Sequence, residues 1–517
     1  MNQTEVDFHG LRKASFATGW GVVMLFDHAM HFIDLSIFLI YIVLMLGVGL
    51  FFYRRNKGSE DYYVGGRNIR SWHIGLSVVA TDVGGGFSIG LGGLGFVIGL
   101  SGSWMLFTGL LGAYLSAIFL IPKVKQLADL KSYTTFPEIL GHFFDHRVAF
   151  CAGVVSAIGY LGFTSSQMLA GAKLASATFP SMSLQAALWT MGALIVVYTV
   201  IGGLKAVIFT DTIQWIILLA GLSLIGVPVA YSAVGGWEGI SSTLPPEFFS
   251  FANITWQDFA NWLITIVPIW FVGMTLYQRI YATRTEKEAK RAWMVAGVFE
   301  WPIMAFLGVS LGLLARVAAD QGAFAYLGYG GPGTMDEEMG LTLLLLTVLP
   351  VGMMGVMMAA YFSAIMSTAD SCLMAASGNV TQDLIGRFVH FSEESSTELR
   401  VSQLTTLILG SLALALASVM QNVLEMMLYS YAFMVSGLFI PVIAAIFFKR
   451  KNSWAALISM LGGGTTTLVL IILNTTLPLG LDPILFGLLV SLLAYLSLVY
   501  ILPRPKNQLI AEDSNER

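Results

Sequence analysis

Apolar residues along this 517-residue chain come in long runs and do not alternate with polar ones. A helix crossing the hydrocarbon core of a bilayer needs roughly 20 mostly apolar residues. Thirteen windows meet that need: 32–52, 71–98, 102–122, 149–178, 186–208, 211–233, 257–280, 293–318, 351–382, 399–420, 425–447, 453–475 and 481–503. A shorter apolar piece, 340–350, is expected to lie in the interface. The pattern predicts an all-α polytopic membrane protein with 13 transmembrane helices. Residues 1–31 read as an extracytoplasmic segment, with no signal-peptide cleavage site after the weak apolar run at 18–26. Met30 is an alternative start, and the 504–517 tail is too short for a domain.

Basic residues orient the spans. Five follow the first window (Arg54, Arg55, Lys57, Arg67, Arg70), and four follow the third (Lys123, Lys125, Lys131, Arg147). Lys205 ends the fifth, and Arg279, Arg284, Lys287, Lys290 and Arg291 follow the seventh. Arg387 and Arg400 follow the ninth, Lys449, Arg450 and Lys451 the eleventh, and Arg504, Lys506 and Arg517 the last. Twenty-three of the 27 Lys and Arg therefore fall on one side. That side is cytoplasmic, the N-terminus is outside, and the plasma (inner) membrane is the expected location. Of the exceptions Arg12, Lys13, Lys173 and Arg316, Lys173 lies near an outer helix end and is expected to snorkel outward.

Composition narrows the function. Charged residues are 11% and apolar residues 56%, against about 25% charged in a soluble domain. Disorder requires few apolar residues, and nucleic-acid binding a basic face. A disulfide scaffold requires many cysteines, and only Cys151 and Cys372 are present. The expected surroundings are lipid bilayer, with no nucleic acid and no obligatory protein partner. Nothing in the chain points to an enzyme.

Three windows carry residues that a plain anchor avoids. The second contains Ala80-Thr81-Asp82-Val83-Gly84-Gly85-Gly86. Three glycines favour unwinding, and a carboxylate in mid-membrane costs at least about 2.5 kcal/mol, so it faces a cavity or a partner. Close packing through small residues also explains glycines; the adjacent Asp82 favours a working break. The seventh window contains Pro268-Ile269-Trp270-Phe271-Val272-Gly273, where Pro removes a donor and Gly loosens the helix. The two interruptions are five spans apart, so two sets of five would insert with opposite orientation. Broken segments at corresponding positions of inverted halves point to a transporter site. The ninth window carries Ser363, Ser367, Thr368, Asp370 and Ser371, with 364, 367, 368 and 371 on one helical face. Hydroxyls and carbonyls are hard donors suited to alkali or alkaline-earth cations. Back-bonding explains single hydroxyls, but not an Asp among four of them. Asp211, at the cytoplasmic start of the sixth window, reads more readily as a helix cap.

These strings resemble the sodium:solute symporters, the family of sodium-coupled proline, pantothenate, sialic acid, glucose and choline carriers. The resemblance rests on EDYYVGGRNI, LSVVATDVGGGF, TFPEILGHFF, GGLKAVIFTDTIQ, YQRIYATRTEKEAKRA and AAYFSAIMSTADSCLMAASGNVTQDL, spread over about 32–450. It implies a LeuT-like 5+5 inverted repeat: a leading helix at 32–52, repeats at 71–233 and 257–447, and two trailing helices at 453–503. It also implies sodium (Na+) held by the carbonyls of Ala80, Val83 and Ala364 and the hydroxyls of Ser367 and Thr368. Asp82 matches an acidic residue that proline carriers need for sodium use. Some members have a second sodium site, here Asp211, Ser367 and Ser371, with Asp370 where relatives place a hydroxyl. That departure leaves Asp370 open to sodium, to a proton or to neither. The family's solute pocket maps onto Gly84, Gly85, Trp104, Gln167, Trp270, Phe271, Tyr429 and Ser436. Packing against lipid is an equal reading of each aromatic. Gly273 stands where sugar carriers have Asn, and the third window lacks their sugar-binding Glu. The resemblance thus implies sodium symport of a small solute, an amino acid such as proline or a quaternary amine rather than a sugar. A proton-coupled carrier, a channel or a transporter-like sensor is the alternative.

Overall fold

The apolar runs fold as helices whose lipid-facing and buried faces sort them into an inner and an outer set. The computed structural model describes residues 31–53, 59–179, 182–389, 396–474 and 477–502, together with a two-residue antiparallel pairing of Ser15–Phe16 with Val23–Met24. The rest of the 1–31 segment with Met30, the loop basics Arg54, Arg55 and Lys57, and the 504–517 tail lie outside the described residues.

The leading helix is α1 (Phe32–Tyr53). The second window forms α2 (Ser71–Asp82) and α3 (Gly85–Ile98), and the third forms α4 (Trp104–Phe119) and α5 (Ile121–Lys131). Next come α6 (His146–Thr178) and α7 (Leu184–Gly221). The seventh window is α8 (Trp256–Val272) plus α9 (Met274–Ala282), and the eighth is α10 (Glu286–Val298) plus α11 (Ala305–Asp320). The remaining helices are α12 (Glu337–Val348), α13 (Met353–Gly378), α14 (Ser396–Ala417), α15 (Val423–Phe447), α16 (Ser453–Leu473) and α17 (Pro483–Ile501).

Among the described residues, eleven helices are long and apolar enough to cross a bilayer, or twelve with the bent pair α8–α9. The shortfall from thirteen has a local cause. The second window is cut after Asp82 into pieces of 12 and 14 residues, each too short alone. The helical run Ile89–Phe119 then joins its second half to the third window. Two other boundaries differ from the windows. The chain between the fifth and sixth breaks at Gly203, with φ 68° and ψ 173°, not at 209–210. Only glycine adopts such a φ without strain, so Asp211 lies inside a helix and is not a cap. The eighth window is interrupted at Trp301, with φ −140° and ψ 123°, just before Pro302, because a residue preceding proline is pushed out of the helical region.

α13 is the inner helix, with 94% of its most apolar stretch buried, against 28% for α1 and α17. It packs on α6 and α7, while α16 packs on α17 and α15. Leu39, Ile40, Val43 and Leu44 of α1, Ile472 of α16 and Leu493 of α17 are exposed apolar side chains, the composition of a lipid-facing surface. The start of α13 is capped from α1, where Asp34 Oδ1 accepts the N–H groups of Gly352 (2.8 Å) and Gly355 (2.7 Å). The 340–350 piece belongs to α12, which packs against α3 and α11.

Lys173 does not snorkel. It is 3% exposed, and its Nζ lies 2.6 Å from both Asp336 Oδ2 and Glu338 Oε2. The acidic start of α12 covers it, and two carboxylates hold an ammonium better than a long reach to water does. Glu338 in turn accepts the N–H groups of Val423 and Leu424 at the start of α15.

α3 and α11 cross with their backbones nearly touching. A Cβ on Gly95 would fall 2.3 Å from the Val309 carbonyl oxygen. Gly95→Ala should therefore lower stability by about 1–3 kcal/mol through overpacking, whereas Gly47→Ala, with open space around it, should be near neutral. Melting temperatures of the purified variants in detergent check this contrast.

Candidate functional site

The first break exposes a carbonyl. α2 ends at Asp82, and Val83 (φ −90°, ψ 40°) and Gly84 (φ −69°, ψ −159°) leave the helix before α3 begins. In an unbroken helix the Ala80 carbonyl would accept the N–H four residues on. Here it accepts two hydroxyls from α13, Ser367 Oγ at 3.2 Å and Thr368 Oγ1 at 2.9 Å. Both hydroxyls also reach the Ala364 carbonyl, at 3.0 and 3.3 Å. The structure thus brings Ala80, Ala364, Ser367 and Thr368 together in one buried knot of oxygens, with Val83 beside them and fully buried. Gly84 makes the approach possible, since a Cβ there would lie 1.9 Å from Thr368 Oγ1. A hydroxyl that donates once still offers lone pairs to a cation, so the knot is a set of hard oxygen donors.

The residues of the second candidate site are divided. Asp211 Oδ2 accepts Ser77 Oγ at 2.5 Å and lies 3.5 Å from Arg279 Nη2. The same Nη2 donates to Ser371 Oγ at 2.7 Å, and Arg279 Nε donates to Ser77 Oγ at 3.1 Å. Thr81 and Ser371 share a hydrogen bond of 3.1 Å. Asp211 and Ser371 therefore meet around a guanidinium. Asp370 turns to α7 and accepts Thr199 Oγ1 at 2.5 Å. Ser367 stays with the first knot.

The solute candidates also separate. Gly85 touches α6 and α13: a Cβ there would fall 2.8 Å from Ala170 Cβ, 2.6 Å from Ile365 Cγ1 and 3.2 Å from Gln167 Oε1. Trp270 is fully buried against Gly112 of α4 and edge-on to Trp293. Phe271 packs edge-on to Phe439, and its carbonyl, freed by the second break, accepts Tyr277 Oη at 2.8 Å. Trp104 sits farther out, donating to the Phe251 carbonyl at 2.8 Å and stacking edge-on with Phe107 and Phe259. Tyr429 donates to Glu425 and lines a cavity of about 320 Å³ with Thr265, Asn422 and Asp482. Ser436 packs into α16 and α17 against Gly463 and Gly487. Their shared face of α15 thus turns toward the trailing helices.

Four residues that the sequence reading passed over belong here. Tyr431 Oη donates to Asp82 Oδ1 at 3.4 Å. Glu300, 1% exposed, lies against Asp82. Tyr160 Oη accepts the Thr275 N–H just past the 42° bend between α8 and α9. Arg279, counted among the cytoplasmic basics, is fully buried. Only Glu300 had a readable signal, a carboxylate next to Trp301-Pro302 inside an apolar window. The others look like ordinary helix residues until their neighbours are known.

The model of the sodium:solute symporter family matches residues 62–463. The osmoregulated proline transporter OpuE of Bacillus subtilis is 26% identical over 90% of this chain and 94% of its own length. The sodium/proline symporter of Escherichia coli is 27% identical over 82% and 85%, and the sodium/glucose cotransporter of Vibrio parahaemolyticus 26% over 90% and 90%. Among solved structures, a substrate-bound, outward-open Na+-coupled sialic acid symporter superposes with a TM-score of 0.77 at 21% identity, covering 92% of this chain and 99% of its own. Mhp1, a nucleobase-cation-symport-1 family transporter in a closed conformation, gives 0.53 at 14% over 87% and 98%. With the family model spanning most of the chain and the LeuT-like architecture shared, this chain belongs to the sodium:solute symporter family, whose members are membrane transporters and not enzymes.

Proposed function

We propose that this chain is a secondary active carrier that moves a small organic solute together with sodium by alternating access. The observation that carries the reading is the Ala80 carbonyl tied to the Ser367 and Thr368 hydroxyls. A sodium ion held by the carbonyls of Ala80, Val83 and Ala364 and by those hydroxyls would cross-link the broken α2–α3 pair to α13. Order there sets the pocket wall at Gly84, Gly85 and Gln167. Each ligand then binds better when the other is present, which is what coupling requires.

The finer topology in this proposal is thirteen spans: α1, two inverted sets of five over 71–233 and 257–447, and two trailing helices over 453–503. The count is reached when α2–α3 is taken as one broken span and α4–α5 as the next. The one-sided distribution of basic residues supports an outside N-terminus and a cytoplasmic C-terminus in the plasma (inner) membrane. An amino acid such as proline or a quaternary amine is favoured as solute, because three relatives at 26–27% identity carry proline in their names. Asp82, Trp270 and Phe271 remain the residues nearest such a pocket.

We infer one sodium per cycle, since Arg279 already supplies the positive charge among Asp211, Ser77 and Ser371. One charge falling through 100 mV releases about 2.3 kcal/mol, and a tenfold sodium gradient adds about 1.4 kcal/mol. Their sum sustains a neutral-solute gradient of roughly a few hundredfold.

Solute uptake into proteoliposomes should be lost when external sodium is replaced by potassium; unchanged uptake would mean proton coupling. Ser367→Ala combined with Thr368→Ala should raise the sodium concentration for half-maximal uptake by roughly tenfold or more, as loss of two ligands implies. Gly84→Ala, whose new Cβ strikes Thr368, should weaken sodium dependence comparably. Activation by sodium should be hyperbolic, with a Hill coefficient of about one, and a sigmoidal curve would restore a second ion.

A further inference from the structure

Among the described residues eight acidic side chains are buried, but only three basic ones, Lys125, Lys173 and Arg279. Each base has its own acceptors: Asp129 and the Thr283 carbonyl, Asp336 with Glu338, and Asp211. Most of the acids are also satisfied, by a base, a helix start or a hydroxyl. Asp82, Asp211 and Asp383 each keep one oxygen without a donor, and Glu300, which faces Asp82, keeps both. The Asp82 and Glu300 carboxyls lie within hydrogen-bond reach of each other, and apart from that contact both oxygens of Glu300 and Oδ2 of Asp82 have no partner among the described residues. Glu300 is pressed onto α4, where a Cβ on Gly109 would lie 2.0 Å from its Oε1. One turn along the same face, Gly112 receives the Nε1 edge of Trp270, and that buried N–H is also unpartnered. Tyr431 closes the Asp82 side. Two carboxyls placed together in a dry interior cannot both carry charge without a cation.

We propose that Glu300, with Asp82, Trp270 and Tyr431 around it, is the subsite for a positively charged nitrogen of the transported solute, an ammonium or quaternary amine. The inference rests on the sodium-symport reading. Sodium at the neighbouring knot offsets one negative charge and the solute nitrogen pairs with the other, so a quaternary amine with no carboxylate of its own leaves the carboxyl pair neutral when both are loaded. Trp270 and Tyr431 are the aromatic side chains beside the pair, residue types that hold such cations.

The test is the melting temperature of the purified full chain in NaCl against KCl, with increasing proline, choline or glucose. Sodium alone should raise it, and proline or choline should raise it further, saturably and only in sodium. Glucose should add nothing. In Glu300→Gln the sodium response should persist, while the half-saturating concentration of the ammonium solute rises roughly tenfold or more, as expected when one partner of a buried charge pair is removed. Glu300→Met, an apolar replacement of similar length, gives the same readout should the Gln variant not fold. A response to glucose, no response to either ammonium solute, or unchanged half-saturation in the variants overturns the subsite. Absence of any sodium response in the unmodified protein overturns the symporter reading instead.

Discussion

A broken helix in a membrane interior leaves carbonyls and N–H groups that no water can satisfy, each at a cost of several kcal/mol. The contact from the Ser367 and Thr368 hydroxyls to the Ala80 carbonyl answers that cost at the first break. It also fixes where α13 must lie, and hence why α13 is the most enclosed helix of the fold. The second break is answered in the same way, by Tyr277 on the Phe271 carbonyl and Tyr160 on the Thr275 N–H. The two solutions differ in kind. Tyrosines lock the α8–α9 bend with protein groups alone, whereas the α2–α3 break is bridged by small hydroxyls that keep lone pairs available. That difference makes the first break the adjustable one.

The close approach depends on absent side chains. Gly84 admits Thr368, Gly109 admits the Glu300 carboxyl, and Gly112 admits the edge of Trp270. Glycines at these points place a polar group where a side chain would otherwise fill the space. The outer helices perform a different task. Their apolar faces meet the bilayer, while Asp34 on α1 reaches inward to cap α13. The leading helix is thus tied to the inner one by a charge placed at a helix start, where the macrodipole favours it.

Much of this was legible in the residues. The apolar windows gave the helices, and Gly-rich and Pro-containing strings gave both breaks. The hydroxyl spacing on the ninth window placed Ser367 and Thr368 on the face that meets Ala80. What failed depended on partners remote in sequence. Lys173 reads as a snorkelling lysine until Asp336 and Glu338, more than 160 positions away, are folded over it. Arg279 reads as a loop-side base until Asp211 and Ser371 converge on it. Span boundaries failed where a single glycine, Gly203, took the bend that the apolar pattern put several residues later. Tyr429 and Ser436 show the limit of periodicity: spacing says that two residues share a face, but not which neighbour that face meets.

Asp82 lies where the two halves of the site join. Through its backbone it ends α2 next to the carbonyls of the ion knot; through its side chain it meets Tyr431 and Glu300. If the knot holds sodium and the Asp82–Glu300 side the solute, as proposed, a change at the knot acts on the solute side without any long relay, because the same two or three residues of unwound chain belong to both. Binding energy spent on ordering this stub is shared by ion and solute, and either one alone must bear the whole ordering cost. Linkage then makes the effect reciprocal: whatever sodium contributes to solute binding, solute contributes to sodium binding. In the proposed carrier the physical origin of coupling is thus the shortness of the break, with two non-helical residues between α2 and α3 and a carboxyl side chain at its edge.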